Sequence, residues 1–326
     1  MSKKSKIIDE KDRKILEELD NNSRQTDSQI AKKVGLSKQV VNYRISQLIK
    51  NGIIMNFYTI VNTGLFGLDS FYVFLNLEYI NKDQEKHLLE KINSLDFVGW
   101  LVSGTGRWDV VLLINAPSIS IFEKYLDKIK SICGKHLHTY IFTALVDAEH
   151  IGYKMIGDRP YLMGIKRNEK IKKIPLTKSD ELILRAISQN ARMPITEISE
   201  KTNLPLHIVA YRLKTLIKNK VITGFKPQLS ISKLGYQWHL LLIQLKIVDE
   251  KRKNEFMMFC KNHPRIYYIS NSIGSYNVML DIQVNNIEEY RETLLDIKDK
   301  FSDIIRDYES IIVFEEYKIS YLPELK

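Results

Sequence analysis

Gly104, Gly106 and Asp109, in the stretch "SGTGRWDVVLL", have the residue types and spacing of a phosphate-binding turn. A G-x-G-x-x turn holds a pyrophosphate only when a strand leads into it and a helix leads out. The helix N-terminus supplies the free amides and the positive end of the dipole. Here the following residues, "VVLLINA", are apolar and β-branched and predict a strand. The turn therefore reads as a β-hairpin, with glycines relieving the backbone at the bend, and not as a dinucleotide loop. Other chemical groups are sparse. Cys133 and Cys260 lie too far apart for a disulfide framework or a zinc spacing, and are expected to be buried thiols of a reducing cytosol. His136 and His138 form a lone H-x-H on one expected strand face, with no third ligand at a usable spacing, so neither metal nor cofactor is expected.

The chain that positions these residues has 326 residues, 44% hydrophobic and 27% charged, which predicts a soluble protein of two or three domains. No apolar run reaches signal-peptide or membrane-span length, so a cytoplasmic location without membrane contact is expected. The net charge of +10 is unevenly placed: residues 1–60 carry +5, 61–153 carry −3, 154–226 carry +10 and 227–326 carry −2. A basic excess confined to certain blocks is the footprint of a polyanion-binding surface.

The alternation reflects a duplication. Displaced by 168 residues, the sequence aligns with itself, and 18 of the 57 positions from Asp12 to Leu68 are identical without a gap. The register continues through Gly106 and Gly274, Val110 and Val278, and Tyr140 and Tyr308. Each half is a basic module followed by an acidic one. The Gly-, Pro- and Lys-containing stretch from Tyr153 to Pro175 joins them.

In the first basic module Ile15, Leu16 and Leu19 mark one helix face. Thr26 with Gln29 forms a capping box for a second, short helix that stops near Gly35. Ser37 caps a third, whose buried stripe is Val41, Ile45 and Leu48. A strand, "IIMNFYTIV", follows. In the second module Ile183, Leu184, Ile187, Ile198, Val209, Leu213 and Leu216 repeat the stripes, and Pro194 and Pro205 stand at helix starts. A short helix, a tight turn and a longer helix make a helix-turn-helix. Its third helix presents Ser37, Lys38, Gln39, Asn42, Tyr43 and Arg44, with Lys50 at its end, as candidate DNA-binding residues. The second copy offers His207, Tyr211, Arg212, Lys214 and Lys218, a set poorer in base-reading groups and better suited to phosphates. Arg44 and Arg212 have an alternative use as internal braces.

The acidic modules read β-α-β-β-α-β, a ferredoxin-like order. In the first, both faces of "DVVLLINA" are apolar: Val110, Leu112 and Ile114 on one, Val111 and Leu113 on the other. Its sheet is therefore expected to bury both faces, one against helices and the other against a second sheet. In the second copy the matching face is Met279, Asp281 and Gln283.

Helix-turn-helix, following strand, β-α-β-β-α-β module and the motif at Gly104, Gly106 and Asp109 together resemble the Lrp/AsnC (feast/famine) family of transcription regulators, twice over nearly the whole chain. The resemblance implies an α+β fold of two tandem winged helix-turn-helix domains, each followed by a ferredoxin-like regulatory domain. The corresponding divisions are 1–62, 63–153, a basic linker 154–175, 176–230 and 231–326. It also implies double-stranded DNA as partner, and sheet-to-sheet pairing. A small effector such as an amino acid would bind at Gly104, Gly106 and Asp109, and two tandem chains would form a homo-oligomer. The second hairpin keeps Gly274 but has Ser272 and Asn277 at the other two positions. Two alternatives stand beside a sequence-specific regulator. One is a sequence-neutral architectural DNA binder. The other is an enzyme like the sirohaem decarboxylases that share both modules, for which His136, His138 and Arg107 would be the candidates.

Overall fold

The computed structural model describes residues 8–157, 163–165, 175–247 and 249–322, so the lysine-rich part of the joining stretch lies largely outside the described residues. The first head comprises helices α1 (Glu10–Asn21), α2 (Asp27–Val34) and α3 (Lys38–Lys50), followed by strand β1 (Ile54–Val61). Asp9 caps α1 in a capping box with Asp12, Thr26 caps α2 with Gln29, and Gly35 ends α2 in the left-handed conformation. In the second head α6 (Lys178–Ile187), α7 (Ile195–Thr202) and α8 (Leu206–Lys218) precede β7 (Ile222–Leu229). Pro194 and Pro205 cap α7 and α8 with φ of −60° and −56°, where ring-fixed backbone replaces a side-chain cap. Asn203 takes the left-handed position that Gly35 holds in the first copy.

The heads are joined directly. Strands β1 and β7 pair antiparallel into a two-stranded sheet. The amide of Ser23 donates to the Phe225 carbonyl (3.0 Å) and that of Ala191 to the Phe57 carbonyl (2.9 Å). Arg24 reaches the Ala191 carbonyl and Arg192 the Ser23 carbonyl, each at 2.6 Å, and each guanidinium lies over the other head's phenylalanine, Phe225 and Phe57. These contacts are related by the 168-residue repeat, so the two heads form a pseudo-twofold pair within one chain.

The regulatory modules follow the expected order. The first contains β2 (Asp69–Leu77), α4 (Lys82–Asn93), β3 (Val98–Thr105), β4 (Val110–Ala116), α5 (Ile119–Cys133) and β5 (Leu137–His150). The short strand β6 (Met163–Ile165) adds to β5. The second contains β8 (Gln237–Leu245), α9 (Glu250–Asn262), β9 (Ile266–Gly274), β10 (Val278–Val284), α10 (Ile287–Phe301) and β11 (Ile305–Ile319). Each makes a four-stranded antiparallel sheet, β5-β2-β4-β3 and β11-β8-β10-β9. The sheets do more than face each other. Edge strand β3 hydrogen-bonds to β11 and β5 to β9, so eight strands close into a barrel.

Val110, Leu112 and Ile114 lie under α4 and α5, and Val111 and Leu113 face the barrel interior. Leu280 and Ile282 likewise lie under α9 and α10. The polar face of the second copy is not a solvent face: Asp281 and Gln283 are 3% and 4% exposed inside the closed barrel. Cys133 of α5 and Cys260 of α9 are buried on the inner faces of their helices. Among the described residues no helix is long and apolar enough to cross a membrane.

One buried ion pair breaks the repeat symmetry. Lys226 of β7 donates to Asp20 of α1 at 2.6 Å, both side chains at most 7% exposed, and the Tyr153 amide donates to the same carboxylate at 3.0 Å. Its repeat counterparts are Tyr58 and Ser188. Removing one member strands a buried charge, which typically costs about 3–5 kcal/mol, whereas removing both leaves none. Lys226→Met is therefore expected to lower unfolding free energy by about that amount in chemical denaturation. Lys226→Met with Asp20→Asn is expected to recover most of the loss, and equal losses would contradict this account.

Candidate nucleic-acid interface and hairpin site

On α3 the stripe Val41, Ile45 and Leu48 is buried against the first head's core, and Ser37 Oγ accepts from the Val40 amide at 3.3 Å. That leaves Lys38, Gln39, Tyr43 and Lys50 exposed, Tyr43 at 64%. Asn42 is also exposed, with its amide tied to Asp27 (2.9 Å). On α8 His207, Lys214 and Lys218 are exposed and Tyr211 matches Tyr43 at 64%.

The arginines are placed differently from a free phosphate contact. Arg44 donates to Asp9 and Asp12, both at 2.8 Å, pinning α3 to the N-terminus of α1. With the Asp12 amide as the larger influence and Arg44 after it, the Asp9 carboxyl is held below its usual range. Arg212 stands 3.6 Å from Asp180 in the same arrangement. Of the two uses open to these arginines, the structure shows the brace. Both members of the pair recur at the repeat spacing, as Asp180 and Arg212. Arg24 and Arg192, which clamp head to head, are a second retained pair whose role sequence reasoning missed.

The Gly104 hairpin is occupied by the fold itself. A Cβ on Gly104 would meet the Ile312 carbonyl oxygen at 2.5 Å, and one on Gly106 (φ +146°) the Ser310 carbonyl oxygen at 2.6 Å. Both glycines thus admit the close approach of β11. Asp109 Oδ2 accepts from the Leu77 amide (2.7 Å) and the Asn76 side chain (3.2 Å). Asn277, its counterpart, accepts from the Leu245 amide at 2.8 Å, so the substitution keeps the hairpin's hydrogen bond. Beside the hairpin, fully buried Trp108 donates to Tyr276 (2.8 Å) and Glu309 (3.1 Å), and Arg107 also pairs with Glu309. His136 lies in a short turn before β5 and only His138 is on the strand, exposed beside Glu78. Among the described residues no group of three or more His, Cys, Asp or Glu is placed to hold a metal ion.

The cavities lie at the opposite end of the barrel, facing the heads. One, about 40 Å³, is lined by Tyr58, Tyr72, Trp100, His150, Asp281 and Glu316, among others. Another, about 180 Å³, lies beyond Tyr267, which borders both. Burial raises Asp281 well above the carboxylate range and lowers His150 well below the usual imidazole value. Glu316, deep but partly open to solvent, is pushed up to about 7 by burial, although Trp100 (2.8 Å) and Gln228 (2.9 Å) donate to it. In this state the fold holds a proton on Glu316 that the unfolded chain has already lost between about pH 4.5 and 7. This part of the stability is therefore present at low pH and lost as pH rises through that window. Thermal unfolding followed from pH 5 to pH 8 is expected to show that decline, and Glu316→Gln to flatten it. An unchanged profile in the variant would refute the assignment.

A winged helix-turn-helix DNA-binding family model matches the chain twice, over residues 8–55 and 176–223. A proline dehydrogenase transcriptional activator of Rhodobacter capsulatus is 27% identical over 118 residues, 36% of this chain and 76% of that protein. An uncharacterized HTH-type transcriptional regulator of Pyrococcus furiosus is 31% identical over 141 residues, 43% of this chain and 94% of that protein. Among solved structures, the siroheme decarboxylase NirDL superposes with a TM-score of 0.62 over 98% of this chain and 95% of that one, at 15% identity. That is a likeness of fold. Each of the two regulators spans less than half of this chain, and the head-and-module unit occurs twice within it: the chain is a tandem-duplicated member of the Lrp/AsnC family of helix-turn-helix transcription regulators.

Proposed function

We propose that this protein is a cytoplasmic, sequence-specific DNA-binding regulator of transcription, and not an enzyme. The observation that carries the reading is the pair of winged heads, held together by β1 and β7, each with a basic helix exposed along its outer side. On α3, Ser37, Lys38, Gln39, Asn42 and Tyr43 are the base- and backbone-contacting set, with Lys50 on phosphate. On α8, His207 and Tyr211 sit at the groove while Lys214 and Lys218 neutralise phosphate. Arg44 and Arg212 support their helices from behind. The domain divisions read from the sequence, 1–62, 63–153, 176–230 and 231–326, are the working units of this proposal.

Two further parts of the reading rest on the family architecture. Assembly into a homo-oligomer of tandem chains is supported by exposed Phe142, Ile273, Ile312 and Phe314 on the strands. A small effector, an amino acid for instance, acts at Gly104, Gly106 and Asp109 with their contacts to β11 and Leu77 in place. The decarboxylase alternative needs free cationic groups around a tetrapyrrole-sized cleft, whereas Arg107 is tied to Glu309 and His138 lies outside the barrel.

Fluorescence anisotropy on duplex DNA tests the proposal. Affinity is expected to fall with salt at a log–log slope near −0.9 per phosphate contacted. Lys38→Ala with Gln39→Ala is expected to weaken specific binding at least tenfold. Lys214→Ala with Lys218→Ala is expected to reduce the slope by about two while leaving sequence preference intact. Wild-type binding by the Lys38/Gln39 variant would remove α3 from the interface. For the hairpin, Gly104→Ala is expected to lower the melting temperature without any ligand, because its Cβ would meet the Ile312 carbonyl oxygen at 2.5 Å and Ile311 Cγ2 at 2.7 Å.

A further inference from the structure

Inside the head-facing end of the barrel, Gln283 of β10 is 4% exposed, and neither its Nε2 nor its Oε1 has a hydrogen-bond partner. Buried amides are almost always satisfied, so an orphaned donor and acceptor on one side chain call for an explanation. The repeat sharpens the point. At the equivalent position Asn115 Oδ1 accepts from Ser70 Oγ at 2.7 Å. Ser70 has become Trp238 in the second copy, and the Trp238 Nε1 is likewise buried without a partner. The second copy has exchanged a satisfied pair for unsatisfied groups.

Gln283 lines the cavity of about 180 Å³, together with Lys154, Met155, Tyr236, Arg265 and Glu289. Lys154 is half-buried and donates at 2.6 Å to the carbonyls of Lys261 and His263. No carboxylate among the described residues pairs with it. An ammonium has three donors, so among the described residues one is left to face the cavity. Burial lowers Lys154 to about 8, with Cys260 acting in the opposite direction. Arg265, by contrast, is engaged with Glu292 at 2.9 Å and lies 3.8 Å from Glu289. The unmet needs are thus an anion for Lys154, an acceptor for Gln283 Nε2 and a donor for Gln283 Oε1. A cavity of about 150 Å³ is enough to hold a benzene-sized molecule.

We propose that this cavity binds a small carboxylate that also carries an O–H or N–H donor, with Lys154 and Gln283 as its recognition pair. The carboxylate meets the Lys154 ammonium and the Gln283 amide hydrogens, and the donor group meets Gln283 Oε1. The site shares no residue with the Gly104 hairpin and lies at the other end of the barrel. It borders the strap that reaches the first head: the Met155 carbonyl accepts from Arg13 of α1, and Tyr153 bonds to Asp20 of α1. A molecule in this cavity therefore touches the segment on which α1 rests. The binding claim does not depend on the DNA reading.

The test is calorimetric and thermal titration of the full chain with sodium L-lactate, using propionate as the donor-free control and sodium chloride at matched ionic strength. Wild type is expected to bind lactate saturably, with a rise in melting temperature and at least fivefold weaker binding of propionate. Gln283→Leu, which removes the orphaned atoms and leaves an apolar side chain in a buried position, is expected to fold cooperatively and lose the response. Lys154→Met is expected to lose it as well, and Lys154→Arg to retain part. Overturning outcomes are no saturable lactate binding by wild type, equal responses to lactate and propionate, an unaltered response in Gln283→Leu, or binding of inorganic phosphate alone.

Discussion

The structure depends on four edge strands finding partners within one chain. β3 pairs with β11 and β5 with β9, and until they do each regulatory sheet carries two open edges. Open edges are templates for uncontrolled association, and a barrel removes them. Duplication turns that pairing into an intramolecular event, with the effective concentration a covalent connection provides. Two residues that look functional in isolation are tuned to this closure. Gly104 and Gly106 have no side chain because β11 runs against them. Asp109 and Asn277, different in charge, do the same structural work by accepting the amide of Leu77 and of Leu245.

Closure of the barrel also constrains the heads. They sit at one end of it, tied to each other by β1 and β7 and by the reciprocal Arg24 and Arg192 contacts. The spacing of α3 and α8 is therefore a property of a single folded chain. Within each head the third helix is braced by an arginine to a capping-box carboxylate of the first helix, Arg44 to Asp12 and Arg212 to Asp180. Positive charge on the heads is thus of two kinds. Lys38, Lys50, Lys214 and Lys218 are exposed to solvent, while Arg44 and Arg212 pair with carboxylates of the first helix of each head.

The duplication has not stayed symmetric where burial is deepest. The Asp20–Lys226 pair has no counterpart in the other half, nor do the orphaned Gln283 and the acidic Asp281 inside the barrel. Each carries a cost in a low-dielectric interior that an apolar residue would avoid. Asp281 and Gln283 lie in the barrel end that faces the heads, and the Asp20–Lys226 pair lies within the heads, where Tyr153 joins Asp20.

Much of this was legible in one dimension. Periodicity, caps and breakers set out the helices, because capping is local chemistry: Thr26 with Gln29, Ser37, Gly35 and the two prolines act within a few residues of themselves. Self-alignment showed the duplication, and alternation in β4 showed a sheet buried on both faces. What the sequence could not reveal is which distant groups meet. A lone Arg44 reads equally as a phosphate contact or a brace until Asp9 and Asp12 are brought beside it. Met279, Asp281 and Gln283 look like a wet face until β3–β11 and β5–β9 close the barrel over them. Local patterning determined the elements and their order. Burial, charge pairing and the emptiness around Gln283 were decided only by tertiary closure, because they depend on neighbours that lie outside any local stretch, 32 residues away for Arg44 and Asp12 and 206 for Asp20 and Lys226.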